Sequence, residues 1–298
     1  MKILVIGSKG FIGSHLVTFL KAQQETVVYE CDVVVDYEKE NYFLIDSTNA
    51  DYHSIFQNNV FDACINCSGA ASVPDSLKNP FRDFTLNTYN VVKLLDAIRL
   101  SQPDCKFINL SSAAVYGNPS TLPIREILPC KPISPYGIHK AQAEEICLSF
   151  STYYNVPTCS LRIFSAFGNG LKKQLFWDLF QKAKKADKIE LFGTGLETRD
   201  FIHVDDVCKA IYCCLEKTPF KGETINVANG EEVTINHAVT TFYSFFDVEK
   251  HVTFNGQVKK GDPLNWQADV SLINAMGYKQ SVKLEEGLSK YYLWISRL

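Results

Sequence analysis

Three glycines follow the first apolar run of the chain, and their spacing constrains the fold more than any other feature. The run is KILVI, residues 2–6, and Gly7, Gly10 and Gly13 stand three apart in the segment GSKGFIGS. An amphipathic helical pattern follows over residues 11–22. A loop between a strand and a helix presents backbone N–H groups and the positive end of the helix dipole. The segment therefore predicts an anion site that suits the pyrophosphate of a dinucleotide, although the usual loop reads G-x-G-x-x-G.

Apolar strand segments alternate with helical patterns over the first half of the chain, which predicts parallel strands joined by right-handed crossovers. The predicted strands cover residues 2–7, 26–31, 42–46, 61–67, 105–112 and 158–164. The predicted helices between them cover residues 11–22, 51–59, 87–100 and 135–154. We therefore expect the α/β class, with a Rossmann-type doubly wound parallel sheet and a smaller C-terminal substrate-binding portion.

The alternation loosens after Phe164, where helical patterns are joined by short strands and loops. These helices are predicted near residues 172–186, 205–217, 234–246 and 284–296. We expect residues 1–165 to form the dinucleotide-binding Rossmann domain. We expect residues 166–298 to form mainly the substrate-binding portion, with some segments returning to the Rossmann domain.

The composition is that of an ordinary globular protein and argues against two classes of partner. Of the 298 residues, 46% are apolar and 21% are charged, and the net charge is −3. Without a basic field we expect no nucleic-acid partner. No apolar stretch has membrane-spanning length and the first residues do not resemble a signal peptide, so we expect no membrane association and a cytoplasmic location.

The ten cysteines are scattered, mostly within apolar runs, where cysteine behaves as a small hydrophobic residue. Cys64 and Cys67 form a C-x-x-C pair, but no second pair or nearby histidine completes a zinc site. We therefore expect reduced, structural thiols and no bound metal.

A tyrosine and a lysine four residues apart suggest proton transfer. Tyr136 and Lys140 stand in the segment SPYGIHK at the start of a predicted helix, where residues four apart share a face. A nearby ammonium favours the phenolate and so lowers the pKa of a tyrosine from its usual value of about 10. The pattern is common by chance. However, Ser111 and Ser112 end the preceding strand, at the sheet edge where ligands bind, and can meet the tyrosine there.

At this point the chain resembles the extended short-chain dehydrogenase/reductase family of nucleotide-sugar epimerases, dehydratases and reductases. The resemblance covers nearly the whole chain and rests on the segments GSKGFIGS, NTYNVVKLLDA, SSAAVYG, YGIHK, LRIF, ETRDFIHVDDV and KKGDPLNWQAD. It implies hydride transfer with a nicotinamide, in which Ser112, Tyr136 and Lys140 are the catalytic residues and Ser111 is a structural neighbour. It also implies a nucleotide-diphosphate sugar as substrate, and a homodimer formed through the helices at 87–100 and 135–154.

The resemblance also implies the binding residues. The expected cofactor contacts are Gly7, Lys9, Gly10, Phe11, Ile12, Gly13, Cys31, Asp46, Ser47, Asn87, Tyr136 and Lys140. The expected substrate contacts are Ser112, Ser165, Arg199 and Lys259. Arg199 matches the arginine that binds the substrate diphosphate, and its forked donors suit phosphate oxygens. Lys259 stands where the family often has a second arginine, and Ser165 replaces the usual asparagine.

The two residues after the expected catalytic serine limit which of the family's reactions the chain can catalyse. The family's 4,6-dehydratases have an Asp-Glu pair there, and its C3/C5 epimerases have a cysteine, whereas this chain has Ala113 and Ala114. Alanine cannot move a proton, so we expect redox chemistry at one carbon, C4 of the sugar. A 4-keto reductase is the favoured hypothesis. The alternatives are a C4 epimerase with tightly bound NAD and a non-catalytic dinucleotide-binding regulator.

Lys9 bears on the choice of cofactor. NAD-preferring relatives usually have an aspartate at the end of the second strand, and counting without gaps from Gly13 puts Cys31 at that position. A basic residue in the loop and no carboxylate at the strand end suit a 2′-phosphate, so we favour NADP(H). NAD(H) stays possible, because Glu30 and Asp32 flank Cys31 and a shift of one residue restores the carboxylate.

Overall fold

A computed structural model of the protein describes residues 1–46, 49–257 and 261–298 and shows, within them, a central parallel sheet of seven strands. In chain order the strands are β1 (Lys2–Ile6), β2 (Val27–Asp32), β3 (Tyr42–Leu44), β4 (Ala63–Asn66), β5 (Lys106–Ser112), β6 (Thr158–Ile163), β7 (Ser165–Phe167), β8 (Lys188–Leu191), β9 (Thr198–Arg199), β10 (Phe201–His203), β11 (Lys221–Val227), β12 (Val233–Thr234) and β13 (His251–Phe254). The central sheet has the order β3-β2-β1-β4-β5-β6-β11, and the others form short two-stranded pairs.

The helices pack around this sheet. They are α1 (Phe11–Lys21), α2 (Tyr52–Asn58), α3 (Val73–Lys78), α4 (Pro80–Phe84), α5 (Asn90–Ser101), α6 (Pro135–Tyr154), α7 (Gln174–Ala183), α8 (Val204–Lys217), α9 (Ile235–Tyr243), α10 (Ser271–Ala275) and α11 (Leu284–Ile295). A π-helical turn, Thr85–Tyr89, precedes α5, and a 3-10 turn, Ala113–Tyr116, follows β5. In the described part of the chain, no helix combines the length and the apolar character needed to cross a membrane.

The strand order explains where a ligand can bind. The chain builds outward from β1 to β2 and β3, and then crosses over to begin the other half at β4. Ligands of such sheets bind at the carboxyl ends of the strands, where the order reverses. The prediction of an α/β fold with a Rossmann-type doubly wound sheet is confirmed.

Both faces of the sheet are covered, as the apolar character of its strands requires. Successive residues of a strand point to opposite faces. In β1, Ile3 and Val5 join the core cluster that includes α1 and α8, whereas Leu4 and Ile6 join the cluster that includes α2, α5 and α6. A continuous apolar strand is therefore buried on both sides.

The second half of the chain contributes to the same sheet. The strand β11 pairs with β6 in parallel, with Lys221 opposite Thr158 and Val227 opposite Ile163. A separate, aromatic-rich cluster lies among α7, α9 and α11 and includes Phe176, Phe242 and Tyr291. The sequence predicted α7, α8, α9 and α11 of this half within a few residues, but it missed the short helix α10 and the helices α3 and α4 between β4 and α5.

Candidate active site

The glycine loop is fixed between the ends of two strands. Gly7 has a φ of +77°, a conformation that glycine adopts without strain. A Cβ on Gly7 would lie 2.7 Å from the backbone nitrogen of Ser68, just after β4. The Gly7 amide donates to the carbonyl of Cys31, in β2, at 2.8 Å. The loop therefore occupies the point where the strand order reverses.

Gly13 allows the first turn of α1 to touch this loop. A Cβ on Gly13 would lie 2.0 Å from the carbonyl oxygen of Gly7, and one on Gly10 would lie 3.2 Å from it. Gly10 is the N-cap of α1 and provides no side chain for the first-turn amides. Phe11 and Ile12, both half-buried, begin the helix. The resulting cradle of backbone N–H groups fits a pyrophosphate.

The carboxylate at the end of β2 belongs to Asp32. Its side chain accepts hydrogen bonds from the amides of Lys9 at 2.8 Å and Val33 at 2.7 Å. The side chain of Cys31, in contrast, is 0% exposed and packs in the apolar core that includes α2 and α5. The Cys31 thiol is therefore buried in the core, and the carboxylate that contacts the glycine loop at this strand end is that of Asp32.

Lys9 already has a counter-ion. Its ammonium forms an ion pair with the carboxylate of Asp36 and lies 5.3 Å from the centre of the Tyr42 ring. The hydrogen bond to Asp36 is the main reason why the pKa of Lys9 is raised. An ammonium that is paired with a carboxylate attracts a second anion less strongly, so this contact weakens the argument for a 2′-phosphate.

Asn87 offers a buried acceptor next to the loop that follows β4. It lies in the π-helical turn, and its Nδ2 donates to the carbonyl of Ala70 at 3.0 Å. Its Oδ1 is buried without a hydrogen-bond partner among the described residues. A Cβ on Gly69 would lie 2.4 Å from that oxygen. An unpaired acceptor of this kind beside a glycine fits a polar group of a bound cofactor.

Ser112, Tyr136 and Lys140 meet at the carboxyl end of β5. Ser112 ends the strand, and its Oγ accepts from the amide of Ala114 at 3.2 Å. Tyr136 and Lys140 lie one turn apart at the start of α6, which is capped by the Ser134 hydroxyl. The Lys140 ammonium donates to the carbonyl of Leu110 at 2.8 Å. The edge that carries the glycine loop thus also carries all three predicted catalytic groups.

Burial moves the pKa values of the two titratable groups apart. Burial raises the pKa of Tyr136 to about 12, while hydrogen bonding with Ser112 acts in the opposite direction. Burial lowers the pKa of Lys140 to about 8. Such shifts are typical of active sites, and a bound cation near the phenol would favour its ionised form further.

The neighbouring serine has a structural role. The Ser111 hydroxyl donates to Glu144 at 2.5 Å, and the Arg162 guanidinium binds the same carboxylate at 2.7 Å. Arg162 also donates to the hydroxyl of Tyr116 at 2.7 Å. Because these groups are buried and bonded to one another, Ser111 is not free to contact a substrate, whereas Ser112 is partly exposed.

Arg199 is positioned by backbone carbonyls and an indole ring. Its Nη1 donates to the carbonyls of Thr198 at 2.8 Å and Leu264 at 3.2 Å, and its guanidinium lies 5.6 Å from the centre of the Trp266 ring. Asp200 and Glu197, the nearby carboxylates, accept hydrogen bonds from backbone amides instead. Burial lowers the pKa of Arg199. A desolvated guanidinium of this kind suits an anionic ligand.

The remaining predicted cofactor and substrate contacts are Ser165, Asp46, Ser47 and Lys259. Ser165 is half-buried in β7, where its amide donates to the carbonyl of Asp200 at 3.0 Å. Asp46 is exposed just after β3 and accepts from the amide of Asn49. Ser47 and Lys259 lie outside the described residues.

Sequence reasoning missed a buried Asp–His pair beside Lys140. His139 precedes Lys140 in the chain, and its Nδ1 lies 2.6 Å from Oδ2 of Asp83 in α4. The histidine inside the segment YGIHK was a visible signal. Nothing local marked Asp83 as its partner, because 56 residues separate the two.

Comparisons with known proteins agree with this geometry. A family model described as the NAD dependent epimerase/dehydratase family matches residues 3–228. A putative UDP-glucose 4-epimerase of Methanocaldococcus jannaschii is 27% identical over 98% of each chain. The UDP-glucose 4-epimerase of Streptococcus mutans is 31% identical over 70% of each chain.

Among solved structures, the chain is similar to UDP-glucuronic acid 4-epimerase from Bacillus cereus in complex with UDP-glucuronic acid and NAD. The identity is 27%, the TM-score is 0.89, and the match covers 100% of this chain and 99% of the other. The chain therefore belongs to the NAD-dependent epimerase/dehydratase family, within the extended short-chain dehydrogenases/reductases.

Proposed function

We propose that the protein is a UDP-sugar 4-epimerase that works with NAD. The observation that carries this proposal is the convergence of Ser112, Tyr136 and Lys140 beside the glycine loop, at the edge where Asp32 ends β2. The relatives named as UDP-sugar 4-epimerases support the epimerase, and the NAD in the B. cereus structure supports the cofactor.

This ranking reverses the order of the hypotheses that the sequence favoured. The named relatives support the epimerase alternative better than the 4-keto reductase. The pairing of Lys9 with Asp36 also weakens the reason for preferring NADP(H). A non-catalytic regulator would have no need for a buried lysine beside the tyrosine, so we rank it last.

In the proposed mechanism, Tyr136 is the base. Its phenolate takes the proton of the sugar C4 hydroxyl as the C4 hydrogen leaves as hydride. A bound nicotinamide would supply the hydride acceptor. After the keto sugar has rotated to present its opposite face, it would also supply the hydride donor. Tyr136 then returns its proton to the C4 oxygen. The Lys140 ammonium favours the phenolate, and the Ser112 hydroxyl orients the sugar oxygen. The cycle has no net redox change.

The turn after Ser112 restricts the reaction to this one carbon. Ala113 is wholly buried and Ala114 is partly buried, and neither side chain can carry a proton. Elimination of water from the sugar needs an acid and a base at such positions. We therefore propose no dehydratase step.

We further propose that Arg199 binds the substrate diphosphate. Its guanidinium is held by carbonyl oxygens and the Trp266 indole, and it makes no ion pair within 4 Å with a carboxylate of the described residues. A charge-assisted contact of this kind contributes on the order of 1.5–3 kcal/mol to binding.

Two measurements on the purified protein test the proposal. Mass spectrometry of the nucleotide released by denaturation should find NAD. Incubation with UDP-glucose, and separately with UDP-glucuronic acid, should convert at least one into its C4 epimer without added cofactor, as read from the anomeric NMR signals. Consumption of NADPH with a 4-keto sugar and no interconversion would instead establish the reductase. If neither interconversion nor reduction is observed, the remaining hypothesis is the non-catalytic dinucleotide-binding regulator.

The choice of cofactor gives a prediction at Asp32. We expect Asp32→Asn to lower the preference for NADH over NADPH about ten- to a hundredfold, because it removes the charge that binds the ribose hydroxyls and repels a 2′-phosphate. The ratio of the two dissociation constants is the measurement, since it cancels general damage to the loop. Lys9→Ser is the matched control and should leave this ratio nearly unchanged. A selective loss of NADPH affinity in Lys9→Ser would restore the NADP(H) assignment.

We also propose a homodimer formed through α5 and α6. Apolar side chains on and near these helices are exposed, among them Tyr89, Leu100, Ile138 and Leu148. An apolar surface of this kind is typical of an interface. Sedimentation velocity should give twice the chain mass of 33.6 kDa. A single species of the monomer mass at micromolar concentration would contradict the proposal.

A further inference from the structure

A buried aspartate–histidine pair lies at the start of α6 and has no role in the mechanism above. The carboxylate of Asp83 and the imidazole of His139 are 2.6 Å apart, and their side chains are 3% and 12% exposed. The ring of Phe84 packs edge-on against the imidazole, with 5.6 Å between ring centres. The Thr88 hydroxyl donates to the carbonyl of His139 at 2.9 Å. The start of α6 is thus tied to α4 and to the π-helical turn.

The pair adjoins the catalytic lysine, because His139 directly precedes Lys140 near the start of α6. Two carboxylates, Asp83 and Glu144, attract the buried Lys140 ammonium. Glu144 is already neutralised by Arg162 at 2.7 Å. Asp83 is different, because its Oδ1 is buried and receives no hydrogen bond from the described residues. Among the described residues, His139 is the one ion-pairing partner that lies within 4 Å of Asp83.

We propose that the Asp83–His139 pair is a positioning element of the active site, which holds the first turns of α6 and supplies the counter-charge of the Lys140 ammonium. The hydrogen bond between the imidazole Nδ1 and Oδ2 of Asp83 keeps the carboxylate oriented. A buried ammonium without a counter-charge gives up its proton readily, and a neutral lysine does not favour the phenolate of Tyr136. The catalytic consequence rests on the proposed function, whereas the electrostatic link to Lys140 does not.

The groups around Lys140 give the direction of the effect. Burial lowers the pKa of Lys140. The groups that raise this pKa are Asp83 from α4, Glu144 and Cys147 from α6, and Cys67 after β4. Asp83 leads this set. The same carboxylate raises the pKa of Tyr136, which Ser112 lowers. Removing the charge of Asp83 should therefore lower the pKa values of both catalytic groups.

The direct test is an NMR titration of Lys140 in the full-length protein labelled with ¹³C-lysine. The Lys140 signal is assigned by its loss in Lys140→Met. We expect a wild-type midpoint near the pKa of about 8 for Lys140 and a midpoint about one unit lower in Asp83→Asn. Asp96→Asn is the matched control, because Asp96 faces a histidine, His53, at 3.8 Å on the surface. It should leave the midpoint unchanged, and an unchanged midpoint in Asp83→Asn would overturn the proposal.

A second variant keeps the test decisive if Asp83→Asn does not fold. His139→Asn retains an N–H donor for the carboxylate and leaves the charge of Asp83 in place, so the Lys140 midpoint should stay at its wild-type value. A shift of one unit or more would show that the imidazole itself sets the charge balance, and would refute the proposal. Because this titration needs neither substrate nor turnover, its result is independent of whether the protein is an epimerase.

The pH profile separates positioning from simple loss of structure. In Asp83→Asn, the alkaline limb of the kcat profile should move to lower pH by the same one unit, with little change in KM. A uniform fall of kcat at every pH, without a shift of either limb, would mean that the pair is only structural.

Discussion

Replacing Tyr136 with phenylalanine is expected to lower kcat for UDP-sugar interconversion about 10³–10⁴-fold, the upper part of the range for a positioned proton-transfer group. The phenol is the group that takes and returns the C4 proton, and the adjacent alanines of the 3-10 turn offer no substitute. The ring itself remains, so packing at the start of α6 is preserved. NMR of the two UDP-sugar epimers measures the rate, and titration calorimetry should show NAD affinity within a few-fold of wild type.

Tyr153→Phe is the matched control for this result. Tyr153 lies on the same helix, but its side chain is exposed. The same loss of one hydroxyl should therefore leave kcat unchanged. If Tyr136→Phe kept more than a tenth of the wild-type kcat, the role of Tyr136 as base would have to be given to another group.

The second large effect is expected at Gly13, where a single methyl group should destabilise the fold and abolish tight binding of NAD. Alanine is ordinarily better than glycine inside a helix by about 1 kcal/mol. Here its Cβ would lie 2.0 Å from the carbonyl oxygen of Gly7, which is backbone and cannot rotate away. Overpacking costs about 1–3 kcal/mol, and relieving it requires α1 to move off the loop. Thermal unfolding with and without NAD measures both consequences.

The position next to Gly13 provides the control. Ser14 occupies the same turn of α1, but its side chain is exposed and makes a local bond to the carbonyl of Phe11. Ser14→Ala should leave both the unfolding temperature and its increase with NAD close to wild type. An increase with NAD of wild-type size in Gly13→Ala would mean that the contact between Gly7 and Gly13 does not shape the cofactor site.

The parts of the site that could be predicted are those encoded by short-range patterns. The glycine loop is recognisable because an apolar strand precedes it and an amphipathic helix follows it. Tyr136 and Lys140 are recognisable because a four-residue spacing places them on one helix face. The structure brings these groups to the same edge of the sheet, as the alternation of strands and helices implies.

The parts that could not be predicted depend on register and on long-range contacts. A gap-free count ended β2 at Cys31, but the ladder pairs Cys31 with Ile6, and the strand continues to Asp32. A shift of one residue in the end of β2 decides whether a thiol or a carboxylate lies at the loop. Likewise, no local pattern shows that Asp36 neutralises Lys9, or that Asp83 meets His139.

The return of the chain to the central sheet has a consequence for synthesis on the ribosome. Every residue of β6 is buried in the finished protein, and the strand that covers its outer edge, β11, is made more than fifty residues later. The helix α8, which shields part of one face of the sheet, is also made after β6. A nascent chain that has emerged only through β6 therefore exposes an apolar strand edge, which is a template for wrong pairing. The N-terminal half does not complete its own sheet, and protection of this edge has to wait for the second half.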